Sequence, residues 1–134
     1  MESYTYFTEG GVAHHTRELE RMREFETGAN RSEVAGKADY EGYLSPLVIE
    51  RFGRYMLSHQ NTPAGPRASD NWQLGIPISE YIKSLQRHNL DRWLLHRGYP
   101  GVYTQDPEEA LCGIMFNCMG DLHELLKRRL GKPQ

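Results

Sequence analysis

The chain has 134 residues, of which 38% are hydrophobic and 25% are charged, and its formal net charge at pH 7 is -2. This length predicts one domain with a modest core, and the mean hydropathy of -0.70 indicates much polar surface for solvent, a partner subunit or a ligand. Because 16 basic residues are interspersed with 18 acidic ones, the composition disfavours binding to a nucleic acid polymer. We expect a small domain that is stabilised as a homo-oligomer.

The cysteines and the apolar runs indicate the cellular compartment. Cys112 and Cys118 lie in a stretch with helical spacing, about 9 Å apart along a helix axis, which is poor geometry for a disulfide. No signal peptide is apparent, and no apolar run approaches the roughly 20 residues of a membrane span. We therefore expect reduced thiols, no membrane partner and a cytoplasmic protein.

The first 45 residues carry weak patterns. Residues 1–10 show no clear period, and residues 16–25 carry a thin apolar stripe among alternating charges, which predicts an arm followed by a short helix. Residues 27–45 mix small polar residues with isolated aromatics, as structured loops do. We therefore divide the chain into an arm with a short helix over residues 1–26 and a helical domain over residues 27–134.

Three stronger helices follow. Ser45 and Pro46 form a start signal for a helix over about residues 46–59, and Gly98 ends a periodic stretch over about residues 79–97. Asp106 and Pro107 begin the longest helix, over about residues 107–130. No segment alternates with the period of a strand. The predicted fold class is therefore all-α, a bundle of about four helices with long structured loops.

The last two helices predict a polar cluster. If they form an antiparallel hairpin, counting back from the loop places Asp91 level with Gly113, and Arg87 and His88 level with Phe116 and Asn117. A glycine opposite Asp91 suits either a ligand cavity or close helix packing.

Arg87, His88 and Asp91 share one face of a helix, so several roles are open to them. Arg87 could bind a phosphate bidentately, while Asp91 could hold a metal or orient His88. We take Asp91 and His88 as the candidate catalytic residues. The same spacing is typical of an intrahelical ion pair, which is the more frequent outcome.

Cleavage of a nucleotide pyrophosphate normally requires carboxylates around Mg²⁺. Asp91 can converge with Glu108 or Glu109 near the hairpin end, although helix capping explains both glutamates without a metal. We take Asp91 and Glu109 as the candidate magnesium site. At the end of the preceding Pro/Gly-rich loop, Trp72 could stack on a base while Asn71 hydrogen-bonds to it. Trp72 could equally fill the core.

The run from Asn71 to Pro77, NWQLGIP, is followed ten residues later by Arg87-His88. These residues resemble the dATP/dGTP diphosphohydrolase N-terminal domain family of phage and bacterial proteins. Upstream, the segments TGA, KADY and LSP, together with Arg31, resemble the same family, so that the similarity spans roughly residues 27–126.

The resemblance implies a nucleotide or another phosphate-bearing small molecule as ligand, and a Mg²⁺-dependent reaction that yields a monophosphate and pyrophosphate. It also implies the host cytoplasm as the location if a phage encodes the chain. The implied phosphate ligands are Arg31, Lys37 and Arg87. Asn71 and Trp72 would contact the base, and Asn117 would orient the cluster.

The chain departs from the family in its last helix. Where many members carry two histidines and a tryptophan, this sequence has Ala110, Gly113 and Phe116. Whether the chain is an enzyme therefore stays open. The alternatives are a non-catalytic phage protein that sequesters nucleotide signals, and a structural or protein-interaction domain.

Overall fold

The computed structural model describes residues 5–9, 12–16, 22–32 and 35–132. The chain divides into two compact units: an N-terminal unit of Met1–Leu44 with Arg129–Gly131, and a C-terminal unit of Ser45–Arg128 with Lys132–Gln134. The predicted division after residue 26 stays a prediction. Within the described ranges, no helix has the length and hydropathy that a bilayer crossing needs.

In its described residues, the N-terminal unit contains two antiparallel strand pairs and one helical turn. Strand β1 (Thr5–Glu9) pairs with β2 (Val12–Thr16), and β3 (Met22–Glu24) pairs with β4 (Asn30–Ser32). Helix α1 (Tyr40–Tyr43) follows, and the Asp39 carboxylate caps it by accepting the Gly42 N–H at 3.0 Å.

The all-α prediction is therefore wrong. The predicted helix over residues 16–25 is wrong at its two ends, where Thr16 belongs to β2 and Met22–Glu24 form β3, while residues 17–21 lie outside the described residues. Strand β3 occupies part of that segment, and a tight turn links it to β4, with Gly28 at a φ of 84° and the Phe25 N–H bonded to the Ala29 carbonyl at 2.8 Å. The thin apolar stripe anchors a helix less well than this glycine turn anchors a hairpin. Residues 27–45, predicted as a loop, contain β4 and α1.

The C-terminal unit contains the three longer helices. They are α2 (Pro46–Ser58), α3 (Ile78–His96) and α4 (Pro107–Arg129), and each predicted bound is confirmed within one residue. Side-chain caps explain the accuracy for α2 and α4, because Ser45 Oγ accepts the Val48 N–H at 3.3 Å and Asp106 Oδ1 accepts the Glu108 N–H at 2.9 Å. Between α2 and α3 lie a short hairpin of β5 (Asn61–Thr62) with β6 (Gly65–Pro66) and a 3-10 turn, Asn71–Leu74.

Small and polar residues line the contact between α3 and α4. Gly113 faces the His88 ring and Gly120 faces the Tyr81 ring, while Asn117 Nδ2 donates to Ser84 Oγ at 3.3 Å. The predicted register, with Gly113 opposite Asp91, is wrong by about one helical turn. The reason is that the loop after α3 folds back over Asp91, so the residue opposite Gly113 is one turn earlier in α3.

Candidate functional site

A cavity of about 400 Å³ lies within the C-terminal unit, between α2, the segment of residues 60–76 and α4. Its lining is mostly apolar and aromatic, with a few polar side chains. This volume is within the range of about 300–1,000 Å³ that small-molecule sites in proteins occupy. The lining includes Gln60, Arg67, Ser69, Asn71, Trp72 and Phe116.

The β5–β6 hairpin connects two lining residues of the cavity, Gln60 and Arg67. Thr62 Oγ1 donates to the Gly65 carbonyl at 2.7 Å and accepts the Ala64 N–H at 3.2 Å, and Gly65 has a φ of 109° that favours glycine. Beyond the hairpin, the Arg67 N–H donates to the Gln60 carbonyl at 2.8 Å. These bonds fix the backbone between α2 and the 3-10 turn, although the segment is rich in proline and glycine.

Aromatic side chains form the walls. Trp72, half-buried on the 3-10 turn, meets the His123 ring edge-on with a centroid distance of 4.8 Å and an interplanar angle of 70°. Phe116 on α4 also lies in an edge-on pair, with Tyr81, at 5.9 Å. Edge-on pairs of this kind fix ring orientations. Trp72 is therefore oriented by a ring of α4 and Phe116 by a ring of α3, and Tyr55 of α2 also lines the cavity.

Arg67 is the basic residue of the lining. Its side chain is exposed, and one guanidinium nitrogen donates to the His59 carbonyl at 3.2 Å. A guanidinium carries five N–H donors, so this bond holds the group in position and leaves further donors for an anion. The sequence did not identify Arg67, Gln60 or Phe116 as site residues. Gln60 and Arg67 are close in the chain to the Pro/Gly-rich loop, and Phe116 is the position where many members of the resembled family carry a tryptophan.

Within the C-terminal unit, some of the predicted site residues line the cavity and others do not. Asn71 and Trp72 line the cavity, whereas exposed Arg87 on α3 is not among the lining residues. Arg31 and Lys37 belong to the N-terminal unit, where Arg31 lies in β4 and Lys37 Nζ donates to Ser32 Oγ at 2.6 Å. Their roles as phosphate ligands stay predictions.

Asp91 is fully buried and binds the loop between α3 and α4. Its carboxylate accepts the backbone N–H groups of Val102 at 2.8 Å, Tyr103 at 3.1 and 3.3 Å, and Thr104 at 2.9 Å. Gly101 passes so close that a Cβ there would lie 3.3 Å from Asp91 Cγ. In this structure Asp91 closes the hairpin, and its predicted catalytic and metal roles stay predictions.

Glu109, the other predicted metal ligand, pairs with α2. Arg51 donates to Glu108 Oε1 at 2.8 Å and to Glu109 Oε1 at 3.0 Å, and lies 3.5 Å from Asp106 Oδ2. Its hydrogen bonds with Glu108 and Glu109 raise the pKa of Arg51 above the ordinary value. Across the described part of the chain, no group of three His, Cys, Asp or Glu side chains is placed to hold a metal ion. The magnesium site stays a sequence prediction.

His88 and Asn117 lie in the contact between α3 and α4. A Cβ on Gly113 would come within 2.6 Å of His88 Nδ1, a buried atom without a described hydrogen-bond partner. Asn117, also buried, donates to the Gly113 carbonyl at 2.7 Å. Burial lowers the pKa of His88, nearby Asp91 opposes that shift, and Arg87 adds to it.

Acidification is expected to destabilise the protein through His88. The pKa of His88 is lower in the folded state than its ordinary value of 6.5. Below pH 6.5 the unfolded chain therefore binds a proton more readily than the folded protein, which lowers the free energy of unfolding. Above pH 6.5 His88 is neutral in both states and does not change the free energy of unfolding. Urea unfolding at about pH 7.5 and about pH 5.5 should show that acidification lowers the free energy of unfolding more in the wild type than in His88→Gln. The excess is at most about 1.4 kcal/mol, the limit for a histidine that stays neutral in the folded state one pH unit below its ordinary pKa. The exposed His96→Gln serves as the control and should behave like the wild type. Equal losses in all three proteins would contradict the prediction.

No family model, curated protein or solved structure matches this chain. The resemblance to the dATP/dGTP diphosphohydrolase N-terminal domain family therefore stays a prediction from the residues that carry it.

Proposed function

We propose that the chain binds a nucleotide, or another small molecule with a planar ring and a phosphate, in the cavity between α2, the segment of residues 60–76 and α4. The observation that carries the proposal is the combination of Trp72 and Phe116 with the exposed Arg67 on one cavity. An aromatic ring can stack on the face of any base, and a guanidinium at the same site can bind a phosphate through charge-assisted hydrogen bonds.

The polar residues of the lining suit the edge of a base. Asn71 and Gln60 each carry a carboxamide, which offers both donors and an acceptor, and Ser69 carries a hydroxyl. A mostly apolar pocket with a few convergent polar groups is the usual form of a small-molecule site. Asn71 and Trp72 are also the residues in which the sequence resembles the nucleotide-hydrolysing family.

The proposal concerns binding and leaves the reaction open. Asp91 accepts backbone N–H groups and Glu109 pairs with Arg51, so both candidate carboxylates have other partners in the described structure. Binding without turnover would correspond to sequestration of a nucleotide. Conversion of the ligand to a monophosphate and pyrophosphate would correspond to the activity that the resemblance implies.

Substitutions in the cavity are expected to weaken binding. Removal of a ring that stacks on a base costs about 1–3 kcal/mol, so Trp72→Ala should lower the affinity by about tenfold to a hundredfold. Arg67→Ala should lower it by about tenfold through loss of a charge-assisted hydrogen bond. Calorimetric titration with dNTPs, NTPs and cyclic nucleotides, with and without Mg²⁺, measures both effects, and product analysis shows whether the ligand is recovered intact.

Two matched variants test the location. Trp93→Ala removes a tryptophan that is 62% exposed on α3 and does not line the cavity, so it should leave the affinity unchanged. Arg87→Ala tests the phosphate ligand that the sequence predicted. A loss with Arg87→Ala but none with Arg67→Ala would move the site to α3, and no binding of any nucleotide by the wild type would refute the proposed function.

A further inference from the structure

The cavity has few charged groups. Among the described residues that line it, Arg67 is the one permanent cation, and His59 is the one residue that can gain a positive charge near neutral pH. The same lining residues include no lysine, aspartate or glutamate. The lining can therefore match the negative charge of a ligand with at most two positive charges.

His59 follows directly on α2, and its ring is held in place. Its Nδ1 lies 2.8 Å from the Tyr55 carbonyl, and because a carbonyl oxygen only accepts, Nδ1 carries the hydrogen of this bond. The Tyr55 ring also packs on the imidazole, with a centroid distance of 4.2 Å. The other nitrogen, Nε2, is therefore the one that can take up a second proton and donate a hydrogen bond to an anion.

The Arg67 guanidinium is bonded to the backbone of the same histidine. One guanidinium nitrogen donates to the His59 carbonyl at 3.2 Å, and the Arg67 backbone N–H donates to the Gln60 carbonyl at 2.8 Å. These bonds keep the guanidinium close to His59 and leave it further N–H donors. The two basic groups of the lining are thus neighbours, which is the arrangement that two cationic ligands of one phosphate require.

The other titratable groups near His59 are neutral. Burial raises the pKa of Tyr55, so its phenol keeps its proton. On α3, burial lowers the pKa of His88, Asp91 opposes that shift, and His59 is among the smaller causes that lower it. In the described part of the chain, the carboxylates in ion pairs bind arginines and lysines, and none of them binds His59. A negative charge that favours the protonated form of His59 must therefore come from a ligand.

We propose that the ligand carries a single phosphate, as a nucleoside monophosphate does, and that this phosphate binds between Arg67 and a protonated His59. A phosphate monoester has a charge of about −1.5 to −2 at pH 7, which these two side chains match. Binding then takes up a proton from the buffer, because the anion favours the charged imidazole. The inference rests on the proposed function, since it assigns the number of phosphates to the ligand of the same cavity.

A triphosphate would find no further cationic partner in the lining. Its two additional phosphates would extend beyond Arg67 and His59, and no third basic side chain belongs to the described lining residues. They would therefore gain no charge-assisted hydrogen bond from these residues. The cavity volume of about 400 Å³ is also near the lower end of the range for small-molecule sites, which suits one base with its sugar.

Calorimetric titration of the full chain without Mg²⁺ tests the number of phosphates. For each of the four common bases, the probes are the nucleoside, its 5′-monophosphate and its 5′-triphosphate. The monophosphate of the preferred base should bind at least about tenfold more tightly than the nucleoside, and the triphosphate should bind no more tightly than the monophosphate. A triphosphate that binds more tightly, or a nucleoside that binds equally well, would overturn the inference and leave the proposed function standing. Failure of every nucleotide to bind would refute both.

The pH dependence of monophosphate binding tests His59. From about pH 8 to about pH 6, the affinity of the wild type should rise by about tenfold relative to that of His59→Gln, because only the histidine gains a proton. The titration of the phosphate itself is common to both proteins. His96→Gln, which replaces an exposed histidine at the end of α3 outside the cavity, is the matched control and should follow the wild type. Equal pH dependence in the wild type and His59→Gln would overturn the role of His59.

Proton uptake provides a measurement that needs no variant. Titrations of the wild type at about pH 7.5 in buffers with different ionisation enthalpies should show that monophosphate binding removes protons from the buffer. Binding without proton uptake would also overturn the role of His59.

Discussion

Asp91→Asn is expected to lower the free energy of unfolding by about 2–4 kcal/mol. The carboxylate accepts four hydrogen bonds from three consecutive backbone N–H groups, and it is fully buried. An asparagine keeps one oxygen but replaces the other with an NH₂ group, which would face N–H donors. Because a buried donor without an acceptor costs about 1–3 kcal/mol, loss of even part of this arrangement is expensive.

Chemical denaturation of Asp91→Asn, with Asp70→Asn as the control variant, measures the change in the free energy of unfolding. Asp70 is exposed and makes no capping hydrogen bond at the 3-10 turn, so its substitution should change the stability by less than about 0.5 kcal/mol. A stable Asp91→Asn that has lost nucleotide binding or turnover would instead indicate a functional carboxylate. Measurements at a temperature where the variant remains folded separate the two roles.

Gly120→Ala is expected to destabilise the protein by about 2–3 kcal/mol, although alanine is the better helix former. A Cβ at this position would lie 2.7 Å from Tyr81 Oη and still closer to the ring. Tyr81 is only 2% exposed, so its ring has little space into which to move. The overlap outweighs the gain of about 1 kcal/mol that alanine offers in a helix.

Gly53→Ala, which also replaces a glycine within a helix, is expected to stabilise the protein instead. Gly53 lies in the middle of α2, and a Cβ there meets no atom within 4 Å. The helix propensity then acts alone, and the variant should gain about 0.5–1 kcal/mol. Thermal unfolding of both variants checks the pair. Changes of the same sign would show that the contact between α3 and α4 is looser than the structure indicates.

The sequence predicted the three long helices because their ends carry local chemistry. Ser45 with Pro46 and Asp106 with Pro107 mark starts that depend only on neighbouring residues, and Gly98 marks an end. The strands of the N-terminal unit are too short to show an alternating pattern. One signal was available, since β1 and β2 pair Glu9 with Val12 across a Gly-Gly sequence, and such dipeptides favour hairpins.

The candidate site was harder to predict because it depends on contacts between distant parts of the chain. Trp72 and Asn71 were identified from a local motif, but Phe116 and Arg67 reach the same cavity only through the packing of α4 beside α2. The register of the hairpin failed for a similar reason. Counting residues back from the loop assumes a symmetric connection between the two helices. In the structure the loop backbone instead folds over the end of α3 and donates hydrogen bonds to the Asp91 carboxylate.

The polar lining of the contact between α3 and α4 determines how these helices can be aligned. Two purely apolar helix faces can shift along one another by one turn at little cost in free energy, because one leucine replaces another as a neighbour. Here the tyrosine ring needs the glycine opposite it, and the amide of Asn117 needs the hydroxyl of Ser84. A shift by one turn would break both matches at once. The two helices can therefore pack against each other in one register only.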